Sequence, residues 1–244
     1  MPTTPAKNLL YRAALPILAP RSRGQMTHHM SGHPLTSLPN YERILAKHHV
    51  FGASLLLQDG ANCALCDTST ANPEHLAQEN TLYRVASITK MATALVTLRC
   101  INNGLFSLDS EAASLLPDGE KDPALSGVTV RHLLCHTSGL RDLPILDDCL
   151  KEGKPYTELL RQPEIRACAP GQQLIYSNFG FGLLGCILEQ QTGLCIEPLF
   201  QEMLFRPLHM RATLDASMLN EAEIMPITRV LPYRAGQELR VTAM

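Results

Sequence analysis

Tryptophan is absent from this chain, and the other large aromatics are few: six Tyr and six Phe in 244 residues. They form no obvious stacking platform of the kind that single-stranded nucleic acids bind. A surplus of one charge sign is missing too. Lys and Arg number 21 against 23 Asp and Glu, a formal charge of -2, whereas nucleic-acid binders carry a basic face. No nucleic-acid partner is expected. Nor does any stretch reach the roughly 20 apolar residues of a membrane-spanning helix, so no membrane span is expected either. Residues 1–41 lack acids altogether, while Lys7, Arg12, Arg21 and Arg23 are basic. The apolar run from Ala13 to Ala19 is short and contains Pro16, which makes a poor secretory core. Residues 1–40 therefore read as a disordered tail or a leader, with a transit peptide and a later start at Met26 left open.

Cysteine is the residue in excess, with eight, yet their placement does not suggest a disulfide scaffold. Cys100, Cys186 and Cys195 sit in helix-like apolar patterns, where a free thiol behaves as a small hydrophobe. Cys63 and Cys66 make the only C-x-x-C, and they fall in a strand-like segment. Positions three apart there point to opposite faces, an awkward arrangement for a shared metal. Without a second pair, no metal is expected. Reduced thiols favour a cytoplasmic location.

What remains is an ordinary globular composition, 45% hydrophobic and 18% charged, long enough for one sizeable domain from residue 41 to 244. Tyr41 to His49 reads as a short helix. Val50 to Gln58 and Asn62 to Asp67 read as two strands about a turn at Asp59-Gly60. Thr81 to Ala86 is extended. From there Ile88, Met91, Leu95 and Leu98 recur at helical spacing, with Gly104 as a natural stop. Val130 to Cys135 is a helical turn. Asn178 to Gln191 is an apolar helix ended by Gly193, and Cys195 to Leu204 is another closed by Pro207. Arg229 to Val241 offers a last hairpin around Ala235-Gly236. A hairpin, a helical middle and a return to strands describe an α+β protein.

Two short motifs carry chemistry. Ser87-Ile88-Thr89-Lys90 opens the long helix, and residues i and i+3 share a face there, so hydroxyl and ammonium can meet. A helix N-terminus adds free N–H groups and a field that favours negative charge, which suits a serine nucleophile. Alone the motif means little, because S-x-x-K turns up about once by chance in a chain this long. The second motif is Tyr176-Ser177-Asn178, between Pro170-Gly171 and an apolar helix. A phenol is a poor base at neutral pH unless a nearby ammonium lowers its pKa, and Lys90 could supply that charge. Asn178 offers a donor and an acceptor for fixing Lys90 and a substrate amide. His136, Ser138 and Asp142 are close enough in sequence to tempt a triad reading, but closeness in sequence is not triad geometry.

Four runs then resemble the class C β-lactamase and D-alanyl-D-alanine carboxypeptidase-like family of serine hydrolases, in the family's order. Leu82 to Lys90 resembles its nucleophile segment. Val128-Thr129-Val130-Arg131-His132-Leu133-Leu134-Cys135-His136-Thr137-Ser138-Gly139-Leu140 resembles its internal loop. Ile175 to Gly185 resembles the second motif with its helix, and Phe205 to Met210 the element beyond the next helix. The resemblance covers roughly residues 41 to 241. It implies an antiparallel sheet packed with helices beside a helical lobe, the active site lying between them. It further implies Ser87 as nucleophile, Lys90 and Tyr176 as the proton-transfer pair, and Asn178 as a positioning group, with no metal or organic cofactor. The expected substrate is a small molecule or peptide carrying an ester, a β-lactam or a D-alanyl bond.

One family feature is not found. A third motif, Lys or His, then a small residue, then Gly, should follow on a strand, and no such triplet occurs after Asn178. Lys151-Glu152-Gly153 and the His136-Thr137-Ser138-Gly139 stretch come too early. The expectation is a domain incomplete at its C-terminus, lacking sheet strands, whose first strand presents an open edge for self-association. The alternative function is a non-catalytic fragment or pseudoenzyme that binds a ligand or a partner chain.

Overall fold

The computed structural model describes residues 25–31, 52–59, 62–69, 81–117, 119, 122–146, 152, 155–220 and 224. The helix expected at Tyr41 to His49 and the hairpin expected at Arg229 to Val241 lie outside these residues. The chain divides into two compact units, one of residues 1–84 with 219–242, the other of residues 85–218 with 243–244.

In the first unit, β1 (Gln25–Ser31), β2 (Gly52–Asp59) and β3 (Asn62–Ser69) form an antiparallel sheet of order β1-β3-β2. The β2–β3 register closes on Asp59↔Asn62, as the Asp59-Gly60 turn signal predicts. In β2, Ser54 and Leu56 are exposed while Ala53 and Leu55 are half-buried, the alternation of a pleated strand. Among the described residues β2 is an edge strand, paired only with β3. Strand β1 falls inside the stretch read as tail or leader and pairs with β3 from Gln25↔Ser69 to Ser31↔Cys63. Its residues, QMTHHMS, show no apolar alternation, so nothing in the pattern announces a strand there. The Ser54 hydroxyl lies 3.0 Å from the Tyr83 hydroxyl, which ties β2 to the segment running toward residue 85.

The second unit is helical. A 3-10 turn, Ala86–Ile88, leads into α1 (Thr89–Asn102). Gly104, at φ +77°, stops the helix in a left-handed conformation that glycine adopts without strain. The apolar periodicity that announces α1 does not mark its buried side. Ile88 and Met91 are 62% and 67% exposed, and Leu95 and Leu98 are exposed as well. The buried stripe is instead Thr93, Val96, Thr97 and Cys100. Two threonines are tolerated there because their hydroxyls bond back to the carbonyls of Thr89 and Thr93, at 3.2 and 2.8 Å.

Short helices α2 (Ala112–Leu115) and α3 (Val130–Leu134) follow. Thr129 caps α3 reciprocally with His132: the Thr129 hydroxyl accepts from His132 N–H, and Thr129 N–H donates to His132 Nδ1. Helix α4 (Asn178–Thr192) is the spine of the core, burying Phe179, Leu183, Leu184, Ile187 and Leu188. Gly193 ends it at φ +71°. The single helix expected from Cys195 to Leu204 is two pieces. After α5 (Ile196–Phe200) the backbone widens into a π-type turn over Gln201–Phe205, closed by Arg206 N–H donating to the Gln201 carbonyl at 2.9 Å. Phe200, Leu204 and Phe205 share one buried apolar core with Leu125, Leu133, Leu140 and Ile165.

The loop after α3 is stitched to the chain leading into α4. Ala167 N–H donates to the Gly139 carbonyl, Arg141 N–H to that of Ile165, and Ile175 N–H to that of His136, at 2.8 to 3.0 Å. Gly139 sits at φ +77°, and a Cβ on it would lie 2.1 Å from the Cys168 carbonyl oxygen. No side chain can move to relieve that clash. Gly139→Ala is expected to cost on the order of 2–4 kcal/mol through strain and backbone displacement. Thermal unfolding checks this, with a melting temperature lowered by several degrees as the expected outcome.

Candidate active site

Ser87 occupies the middle of the 3-10 turn, and Lys90 follows one turn later inside α1. Ala86, just before the serine, holds φ +46°, a left-handed conformation uncommon for any residue but glycine and strained for a Cβ-bearing one. Tyr176 and Asn178 flank Ser177, the cap of α4, whose hydroxyl accepts from Gly180 N–H at 2.9 Å. Because α1 packs on α4, the two motifs meet.

The meeting is close. The Tyr176 hydroxyl donates to Ser87 Oγ at 2.6 Å. The Lys90 ammonium donates to Ser87 Oγ at 3.3 Å and to Asn178 Oδ1 at 2.6 Å. It also lies 4.8 Å from the centre of the Tyr176 ring and 5.7 Å from that of Phe181. All four residues singled out from the sequence stand in one hydrogen-bonded group.

Two more residues belong to it that the motifs do not contain. The Asp142 carboxylate accepts from Asn178 Nδ2 at 2.7 Å and from Phe179 N–H at 2.8 Å. His136 Nδ1 accepts from Ser177 N–H at 3.2 Å, and its ring lies 4.6 Å from Tyr176 and 4.9 Å from Phe181. Asp142 and His136 thus serve the Tyr176 segment and not a Ser–His–Asp triad. Ser138 is buried, with its hydroxyl accepting from Leu140 N–H. No pattern of spacing identifies Asp142, because the fold alone carries it across 36 residues to Asn178.

Residues 40–216 match the family described as Beta-lactamase. The chain belongs to the beta-lactamase family. Two curated relatives show the breadth of the resemblance. Monacolin J acid methylbutanoyltransferase of Aspergillus terreus is 32% identical over 157 residues, covering 54% of this chain and 37% of the relative. D-alanyl-D-alanine-carboxypeptidase/endopeptidase AmpH of Escherichia coli is 30% identical over 146 residues, 56% of this chain and 37% of the relative. The chain thus spans well under half the length of these curated relatives. Among solved structures, the octameric penicillin-binding protein homologue from Pyrococcus abyssi superposes with a TM-score of 0.58 at 26% identity, covering 69% of this chain and 41% of that one. The fold is that of the serine β-lactamases and transpeptidases, and the family is of serine hydrolase and acyltransferase type.

In this family member the charges around Ser87 are arranged to favour a phenolate. Hydrogen bonding to Lys90 and to Ser87 holds the Tyr176 phenol below its usual pKa, and the Asp142 charge opposes them. Tyr176 is half exposed, so water screens part of this influence. Burial and the Lys90 charge lower the His136 pKa from its ordinary 6.5, again against Asp142. A neutral imidazole is also what its contact requires, since Nδ1 must keep a lone pair to accept Ser177 N–H. Its proton is therefore bound more readily by the unfolded chain, so stability rises with pH between the folded and unfolded pKa values. Acidification below about 6.5 is expected to erode stability through this group. Denaturant titrations across that range should show the slope, and His136→Asn, which removes the titration while keeping an acceptor, should flatten it.

Proposed function

We propose that this chain carries an acyl-serine site in which Ser87 attacks the carbonyl of an ester, a β-lactam or a D-alanyl peptide. The observation that supports the reading is the pair of short contacts on Ser87 Oγ, from Tyr176 at 2.6 Å and Lys90 at 3.3 Å. In its neutral form the phenol donates to Oγ. As a phenolate, favoured by the ammonium, it accepts the Oγ proton along the same line. The Oγ–C bond then forms as the carbonyl electron pair moves onto oxygen. Collapse expels the leaving group, which takes the proton from Tyr176. Water next gives a proton to Tyr176 and attacks the acyl carbon, and Ser87 departs as an alcohol reprotonated by the same phenol. Asn178 holds Lys90 in place and offers its amide to the substrate. No step calls for a metal or an organic cofactor.

A second reading changes only the last acceptor. The similarity to a methylbutanoyltransferase over 54% of this chain favours an acyl acceptor other than water, such as an alcohol. Both readings share the acyl-enzyme, so one experiment tests them together. A fluorophosphonate or fluorescent penicillin should label the protein, and Ser87→Ala should abolish the label. Lys90→Met and Tyr176→Phe should each slow labelling by about 100-fold or more, with little change in non-covalent binding. A chain that never acquires label under these conditions would instead fit a ligand-binding or partner-binding descendant. Free alcohol added to a reaction with an activated ester as substrate then separates transfer from hydrolysis by its product.

Self-association belongs to the same proposal. The edge position of β2, the exposed Leu56 on it and an octameric relative support assembly through an unpaired strand. Size-exclusion chromatography should give a species larger than one chain, and Leu56→Lys should shift it toward the monomer.

A further inference from the structure

The Asn178 amide stands between two charges, and its orientation is not free. Its Oδ1 lies 2.6 Å from the Lys90 ammonium and its Nδ2 lies 2.7 Å from the Asp142 carboxylate. Turning the amide over would set oxygen against carboxylate and NH2 against ammonium, two repulsions at hydrogen-bond distance. The Asp142 carboxylate is itself held. One of its oxygens accepts from Phe179 N–H at 2.8 Å and from the Ser177 hydroxyl at 3.3 Å, leaving the other for Asn178. It sits at the N-terminus of the 15-residue helix α4, where negative charge is favoured. Its own segment is fixed by Arg141, whose main chain and guanidinium donate to the carbonyls of Ile165 and Glu164.

We propose that Asp142 is a positioning residue of the acyl-serine site: it locks the Asn178 amide so that its oxygen faces Lys90, and thereby holds the ammonium beside Ser87 and Tyr176. This rests on the acyl-serine reading above. A mere helix cap would need only an acceptor for Phe179 N–H. The positioning role needs two acceptor oxygens on one side chain, one for the helix and one for the amide. Asparagine supplies one. In Asp142→Asn either Phe179 N–H loses its acceptor or Asn178 must turn its NH2 toward Lys90.

The test compares the wild type, Asp142→Asn, Asn178→Asp and the double swap Asp142→Asn with Asn178→Asp. In the swap, the amide introduced at position 142 donates to one oxygen of the carboxylate introduced at position 178. The other oxygen of that carboxylate accepts from Lys90, and the amide oxygen at position 142 accepts from Phe179 N–H, so every donor again has an acceptor with net charge unchanged.

Fluorophosphonate labelling of Ser87 should slow about 100-fold in Asp142→Asn, as expected of a catalytic group moved from its position. The loss should lie in the rate of label formation and not in the probe's binding constant. The swap should recover at least about tenfold relative to Asp142→Asn. Wild-type labelling rates in Asp142→Asn, or a swap no faster than that single variant, would overturn the proposal. If the wild type takes no label, the acyl-serine reading itself fails. The locked amide is then decided by melting temperatures of the same four proteins: non-additive effects, with the swap more stable than the singles predict, support it, and additive effects refute it.

Discussion

The Lys90 ammonium is the point where two segments 88 positions apart in the helical unit meet. It reaches Ser87 one turn away and Asn178 across 88 positions of sequence, and it lies near the rings of Tyr176 and Phe181. A half-buried cation still open to water gains only modestly from any one contact. Its place is therefore set by the elements that surround it and not by its own attractions. Helix α1 fixes the lysine stem through the burial of Val96 and Cys100, and α4 fixes Asn178 through Phe179 and Leu183. Packing of those apolar stripes brings the polar groups within reach, and the hydrogen bonds then choose among the orientations that packing leaves open.

Much of this frame is legible in residues. The hairpin turn, the stop at Gly104 and the end of α4 at Gly193 follow from local chemistry, and the pairing of Ser-x-x-Lys with Tyr-x-Asn follows from the resemblance to the family. What escaped is non-local. The apolar residues of α1 mark a helix, yet its buried face is lined by Thr93 and Thr97, whose back-bonded hydroxyls make polar residues acceptable inside. Hydrophobicity alone cannot see that compensation. The π-type widening at Gln201–Phe205 breaks a helix whose periodicity runs on unaltered. Strand β1 takes its place through backbone pairing with β3, and its side chains give no pattern. Asp142 is the sharpest case. Its role depends on where the loop around Gly139 delivers it, and that delivery depends on backbone bonds between residues 139–141 and 165–167.

The internal loop brings two polar side chains to the Tyr176 segment. His136 and Asp142 approach the Tyr176 segment from the same loop but serve opposite electrical ends. His136, kept neutral by burial and by Lys90, adds a polar contact without adding a second cation beside the ammonium. Asp142 adds an anion that meets the site through the Asn178 amide. That carboxylate opposes ionisation of the phenol, but as the smallest of the influences on Tyr176. The amide between Asp142 and Lys90 transmits orientation without cancelling the charge. Beside a carboxylate at position 142, the side chain at 178 needs a donor for that carboxylate and an acceptor for Lys90, which is a physical reason for an asparagine there and not a serine.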